Sequence, residues 1–171
     1  GANTLERGQG YPDSIFGNNA ERTLGTERYN LHLTWRHTTG DDGEWLASFY
    51  HTRESGIDHW LANGAFNGRL FLNVPLSRDT TSSRTNAELQ HRFALGPQAR
   101  LVWGLEARRD EANSVGLFAG GQPPAYELYR AFSNLDWRPT PGWQLNLGAL
   151  VEKNGTAALQ CVPRAFVNWQ A

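Results

Sequence analysis

The chain has 171 residues and a net charge of −1, with seven Trp, eight Phe, eighteen Gly and no Met. A nearly neutral chain without a basic patch argues against nucleic acid as the main partner, and the lack of any run of about 18 apolar residues excludes a transmembrane helix. Glycine and aromatic enrichment favours an all-β chain, and barrel strands of about ten alternating residues remain compatible with this composition.

Along the first half of the chain, one clear strand is followed by a long irregular stretch. Residues 1–27 carry Gly, Asn, Pro and Ser without periodicity and predict an N-terminal loop segment. Residues 29–36 alternate apolar with polar side chains, as a two-faced strand does, and a turn at 38–43 leads into a return strand. Residues 55–83 lose the alternation, although Arg69 to Pro75 could form a short strand broken by the proline.

The second half of the chain is more regular. Residues 85–93 and 101–107 alternate on either side of a short turn at 96–99, and a long polar connection covers 110–126. Residues 127–153 form the clearest hairpin, reversed by Pro139-Thr140-Pro141-Gly142, because proline cannot donate to a ladder and glycine tolerates positive φ. A last strand from Gln160 to Gln170 follows.

Short turns and long connections alternate along the chain, which puts the short turns at one end of the sheet. This asymmetry is typical of outer-membrane barrels, with short periplasmic turns and long extracellular loops. Residues 28–171 therefore predict an antiparallel up-and-down meander, a transmembrane β-barrel segment of about seven or eight strands without a plug domain. Indole rings favour membrane boundaries, so we expect a membrane girdle of Trp137, Trp143 and Trp169.

Three stretches together resemble the barrel of TonB-dependent outer-membrane receptors. They are the Trp-Arg-Pro turn at 137–139, the Leu145–Glu152 strand and the Pro163–Trp169 strand. The resemblance covers residue 84 to the end, and residues 28–53 share only its general alternation of side chains. It implies a piece of a barrel of about twenty-two strands in the bacterial outer membrane, taking up a scarce solute such as an iron chelate or cobalamin. The implied partners are membrane lipid, a small-molecule ligand and a TonB-type energy-coupling protein acting through the missing plug.

Candidate ligand-binding residues come from the long connections, since loops carry function. Aromatic and cationic side chains could stack on a planar chelate or pair with its charge. The arginines on the polar parity are expected to pair with Glu88, Glu106 and Asp136 across neighbouring strands. The ligand candidates are Trp60, Phe66, Arg69, Phe71, Phe118 and Tyr126, and the arginines are Arg36, Arg92, Arg108, Arg130 and Arg164.

No catalytic constellation is found in the sequence, so we expect no enzyme, no cofactor and no metal site. The five histidines are dispersed, and solvation or a lumen-facing position explains them better than metal ligation. A water-soluble β-barrel or β-sandwich that binds a small ligand or glycan is the main alternative, because its strands alternate in the same way. A passive porin or adhesin barrel is the second alternative, and an outer-membrane lipase or protease is a distant third.

Overall fold

A computed structural model describes residues 5–6, 23–40, 42–114, 118 and 124–170. Within these ranges the chain is all-β and contains no helix long and apolar enough to cross a membrane. Its strands are β1 (Leu5–Glu6), β2 (Thr23–Thr39), β3 (Gly43–Ile57), β4 (His59–Phe66), β5 (Arg69–Ser77), β6 (Thr80–Gly96), β7 (Ala99–Ser114), β8 (Ala125–Trp137), β9 (Trp143–Asn154) and β10 (Gln160–Trp169).

Eight of these strands form one sheet, in the order β1-β2-β3-β6-β7-β8-β9-β10. Neighbours in the sheet follow one another along the chain, except that the separate two-stranded sheet of β4 and β5 is inserted between β3 and β6. The predicted antiparallel meander is therefore confirmed. The order ends at β1 and β10, and among the described strands no pairing joins these ends. Closure into a barrel stays a prediction.

The short turns lie at the positions expected from Gly and Asp. Gly142, in the turn between β8 and β9, has a φ of +84°, where L side chains are strained. Arg138 N–H donates to Gln98 O at 2.8 Å, which joins this turn to the one between β6 and β7. Gln170 N–H, just after β10, donates to Gly142 O at 2.8 Å. The β6–β7 turn, the β8–β9 turn and the last residues of β10 therefore lie at the same end of the sheet.

The segment 55–83 differs most from the sequence prediction. β3 continues to Ile57 and β6 begins at Thr80, and most of the residues between them form the β4–β5 hairpin. Its turn is Asn67-Gly68, with φ values of +48° and +75°, and Asn-Gly is the strongest short-range hairpin signal. The predicted break at Pro75 is wrong: Pro75 pairs with Leu61, because a two-stranded hairpin consists of edge strands, where proline is tolerated.

The N-terminal boundary also differs from the prediction. β2 begins at Thr23, inside the stretch 1–27 that was predicted to be a loop, and its first residues pair with Leu5 and Glu6. Residues 7–22 lie outside the described part of the chain. The division into a loop segment 1–27 and a barrel segment 28–171 stays a prediction.

By internal contacts the chain divides into two compact units. Unit 1 is made of residues 1–30, 52–83 and 111–124, and unit 2 of residues 31–51, 84–110 and 125–171. Among the described residues, the buried apolar side chains are Ala62 in unit 1 and Leu128 in unit 2, each 1% exposed. The described part of each unit therefore has no apolar core of the size found in water-soluble domains.

Close packing on one face of unit 2 depends on Gly104. A Cβ placed there would lie 2.5 Å from Phe132 Cζ and 3.0 Å from Leu89 O. We predict that Gly104→Ala lowers the free energy of unfolding by about 1–3 kcal/mol, as overpacking does. Gly40→Ala is the matched control, since a Cβ at Gly40 meets nothing within 4 Å. Urea denaturation in detergent micelles, followed by tryptophan fluorescence, measures both.

A double variant tests the cause. If a Cβ at position 104 clashes with the Phe132 ring, the double variant Gly104→Ala with Phe132→Leu loses less free energy of unfolding than the sum of the two single variants. This non-additivity is expected because the two residues are in contact. Equal stability of Gly104→Ala and Gly40→Ala would contradict the described packing.

Candidate functional site

The apolar face of unit 2 is exposed. Leu33 on β2, Leu105 on β7 and Leu147 on β9 are 57%, 50% and 40% exposed, although all three lie on the apolar parity of their strands. Water-soluble sheets bury this parity against another layer. In the described part of the chain no such layer covers these side chains, and contiguous exposed apolar surface of this kind marks an interaction with a membrane or a partner.

Tryptophan side chains are concentrated at the short-turn end of unit 2. Six of the seven tryptophans of the chain lie on strands of this unit. We call these six the tryptophan belt. Trp143 and Trp169 face each other across β9 and β10, with ring centroids 6.2 Å apart. Each member lies at a strand terminus or within four residues of one that adjoins the short-turn end: Trp35, Trp45, Trp103, Trp137, Trp143 and Trp169.

The belt includes the three predicted girdle residues and adds three that the prediction missed. Trp137, Trp143 and Trp169 are all exposed, at the ends of β8, β9 and β10. The missed members, Trp35, Trp45 and Trp103, could have been found from one signal, which is the distance of each tryptophan from the nearest short turn. Aromatic residues concentrated near one end of the strands are typical of a membrane–water interface. The membrane role of the girdle stays a prediction.

An aromatic cluster forms part of the belt. His91 stacks on Trp45 with ring centroids 3.9 Å apart and on Phe93 at 4.7 Å, and Trp103 meets both Trp45 and His91 edge-on. Among the described residues no group of three or more His, Cys, Asp or Glu side chains is placed to hold a metal ion. The packing between aromatic rings explains His91 without a ligand role.

A tyrosine marks the opposite end of the same face. Tyr129 on β8 is exposed and lies eight residues before Trp137, which corresponds to about 26 Å along the strand and about 20 Å along the bilayer normal at a strand tilt of about 40°. The apolar band of outer-membrane barrels is about 25 Å tall and has aromatic residues at both edges. Between Tyr129 and Trp137 the apolar parity carries Ala131, Ser133 and Leu135, none of them charged.

The polar face of unit 2 carries ion pairs that link neighbouring strands. Arg130 Nε donates to Glu152 Oε2 at 2.6 Å, and its Nη1 lies 3.4 Å from Glu106 Oε2. At the short-turn end Glu44 lies between Arg36, at 3.8 Å, and Arg92, at 3.5 Å. Facing charges of opposite sign stabilise strand register. This face is therefore chemically unlike the apolar one.

The predicted arginine partners are correct in part. Glu106 does pair with Arg130, but Glu88 is bonded to Gln90, and Asp136 accepts from Gln144 at 3.1 Å. The remaining two predicted arginines have other neighbours. Arg108 reaches Asp110 at 3.1 Å, and Arg164 reaches the amide oxygen of Asn134 at 3.5 Å. The sequence missed Glu44 and Glu152 because strand register decides which carboxylate faces which arginine, and it missed Asp110, which lies two residues from Arg108 on the same strand.

Four of the six ligand candidates lie on the β4–β5 hairpin of unit 1. Phe71 lies over Gly64, since a Cβ on that glycine would come within 2.6 Å of the ring. Trp60 has the Arg78 guanidinium 5.2 Å from its ring centroid. Arg69 is exposed and pairs in register with Phe66, whose side chain lies outside the described part. Trp60 and Phe71 thus have packing roles within the hairpin, and ligand contact stays a prediction for all four.

The other two candidates lie on different segments. Phe118 N–H donates to Ser114 O at 3.0 Å, just beyond β7. Tyr126 lies near the start of β8, where the Arg108 guanidinium is 5.8 Å from its ring centroid. Their ligand-binding role also stays a prediction.

A hydrogen-bonded group lies at the base of the β4–β5 hairpin, where Asp79, just after β5, contacts His59 at the start of β4. Asp79 Oδ2 lies 2.5 Å from His59 Nε2, and Asp79 Oδ1 accepts from Asp58 N–H at 2.9 Å. Arg78 N–H donates to Asp58 O at 2.8 Å. The hydrogen bond from the Asp58 backbone, and then that from His59, lower the pKa of Asp79 below its ordinary value. We call this group the hairpin latch.

Comparison of the chain with protein-family models, with curated proteins and with solved structures finds no significant match.

The hairpin latch makes the β4–β5 hairpin sensitive to acid. Because the folded-state pKa of Asp79 is depressed, its carboxylate stabilises the hairpin. This stabilisation is fully present above the unfolded pKa of about 3.9 and is lost as pH falls through the lowered pKa. We predict that protection of amides 58–79 against hydrogen exchange, corrected for intrinsic rates, is lower at about pH 3 than at about pH 5.5.

Two variants give this experiment its controls. Asp79→Asn abolishes the pH dependence, since the amide does not titrate, whereas Asp42→Asn, an exposed carboxylate in the turn between β2 and β3, leaves it unchanged. A pH dependence that persists in Asp79→Asn would contradict the assignment of the latch.

Proposed function

We propose that the chain is a membrane-spanning β-sheet of an outer-membrane barrel, whose apolar face meets lipid. The observation that carries this proposal is the tryptophan belt, which lies at the short-turn end of an uncovered apolar face. A lipid-facing surface needs an apolar band with aromatic residues at its edges. The described apolar side chains of unit 2 meet both requirements.

The polar face supports the same proposal. Its arginines and carboxylates are half-buried or exposed and are paired across strands, as with Arg130, Glu106 and Glu152. In a barrel this face would line an aqueous lumen, where charged side chains are tolerated. A sheet with lipid on one side and water on the other requires this division of side chains.

The finer proposal is that the barrel belongs to a TonB-dependent receptor that takes up a scarce solute, such as an iron chelate or cobalamin. It rests on the resemblance of residues 84–171 to that family. The β4–β5 hairpin supports it as a structured excursion between two sheet strands that carries Trp60, Arg69 and Phe71. Long, structured connections of this kind are where binding residues are found.

A pair of neighbouring substitutions tests the membrane proposal. We predict that Leu147→Arg, on the apolar face, destabilises folding into lipid vesicles by about 2–4 kcal/mol, the cost of a cation near the bilayer midplane. Asn146→Arg lies on the polar face and is paired in register with Asp136. It changes the free energy of folding into vesicles by less than about 1 kcal/mol. Heat-modifiable migration on gels and urea titration in vesicles measure both.

The opposite outcome would identify a different class of protein. If the chain is monomeric in plain buffer and both arginine variants behave alike, the sheet is water-soluble and the small-ligand or glycan binder replaces the membrane proposal.

Growth assays test the receptor proposal separately. Deletion of the gene is expected to abolish growth on one iron chelate or on cobalamin at low concentration, in a manner that also depends on the energy-coupling protein. Unimpaired growth on all of these solutes, together with single-channel conductance of the purified barrel, would instead indicate a passive porin.

A further inference from the structure

A groove crosses the apolar face of unit 2. Its volume is about 520 Å³, and it is lined by residues of β6, β7, β8 and β9 together with Leu159. Three of the strands contribute an alanine, namely Ala87, Ala107 and Ala131. Because a methyl group is much shorter than a leucine or tyrosine side chain, the surface is recessed at the alanines between Leu105 and Tyr129.

Among the residues that line this groove, Glu88, Glu106 and Arg130 lie on the polar parity of their strands, and Lys153 is the charged residue on the apolar parity. Lys153 is the only lysine of the chain; it pairs in register with Tyr129 across β8 and β9 and is exposed. Arg109, on the same parity of β7, has the Glu127 carboxylate at 3.6 Å. No described side chain forms a hydrogen bond or ion pair with the Lys153 ammonium. The rim therefore carries a positive charge that an anionic ligand would neutralise.

The position of Lys153 along β9 indicates which kind of anion would pair with it. Lys153 lies ten residues after Trp143 on β9, which is about 33 Å along the strand and about 25 Å along the normal of a bilayer at a strand tilt of about 40°. The ammonium and the tryptophan belt are thus separated by the thickness of an apolar band. Val151, two residues closer to the belt, lines the groove, so the groove extends from the cation toward the belt.

We propose that this groove binds an anionic, phosphate-headed lipid, with its phosphate at Lys153 and an acyl chain over the alanines. The inference rests on the proposed membrane location and extends it to one specific lipid site. An acyl chain fills an apolar groove that water would fill poorly. The phosphate supplies the negatively charged partner that the Lys153 ammonium lacks.

Native mass spectrometry tests the site. The folded chain in detergent is offered equal amounts of phosphatidylglycerol and phosphatidylcholine with the same acyl chains. We expect retention of phosphatidylglycerol to exceed that of phosphatidylcholine by about fivefold, the ratio given by about 1 kcal/mol for one lysine near an anionic lipid surface. Lys153→Gln reduces this ratio to about one, and Ala131→Phe, which fills the groove, lowers the retention of both lipids.

The control is Arg100→Gln, which removes an exposed positive charge near the short turns and is expected to leave the ratio unchanged. A folded wild-type chain without preference, or a preference that survives in Lys153→Gln, overturns the lipid site alone. Folding is checked in the same samples by insertion into neutral phosphatidylcholine vesicles. Failure of that insertion overturns the membrane proposal, and the lipid site with it.

Discussion

The structure depends on one constraint: successive side chains of a strand point to opposite faces, so an alternating sequence produces a sheet with two chemically unlike surfaces. In unit 2 the polar surface is held by ion pairs between neighbouring strands, such as Arg130 with Glu106 and Glu152. The apolar surface has no comparable partner within the described residues, since Leu33, Leu105 and Leu147 remain exposed. In the proposed membrane location, a lipid bilayer covers this apolar surface.

The tryptophan belt lies at one end of that face, the end with the short turns. Indole rings combine a large apolar surface with one N–H donor and are favoured where lipid meets headgroups. In the proposed membrane location, their concentration near the short turns, where Arg138 and Gln98 join two turns, defines one boundary of the apolar band. Lys153, in register with Tyr129, lies about 25 Å from Trp143 along the bilayer normal at a strand tilt of about 40°. The groove that we propose as a lipid site lies between these boundaries.

Much of the sheet could be predicted from the sequence because its signals are local. The alternation of residues 127–153 and the Pro-Gly turn predict the β8–β9 hairpin, which the register of Arg130 with Glu152 matches. The β4–β5 hairpin is harder to predict because its strands lack clean alternation, and its local signal is the Asn67-Gly68 turn alone. The candidate sites were harder to predict. Which carboxylate faces Arg92, or which ring lies on Gly64, depends on register and insertion geometry that no single stretch of sequence contains.

The most direct test of the account is the depth of the tryptophans in a bilayer. The chain is reconstituted into vesicles of lipids brominated either near the headgroup or near the end of the acyl chain, and tryptophan fluorescence is measured. If the belt lies at the interface, the shallow bromines quench strongly and the deep ones weakly, since six of the seven tryptophans lie near the short-turn end of their strands. Equal and negligible quenching by both lipids, with the chain remaining in the aqueous phase, would contradict the claim that the apolar face meets lipid.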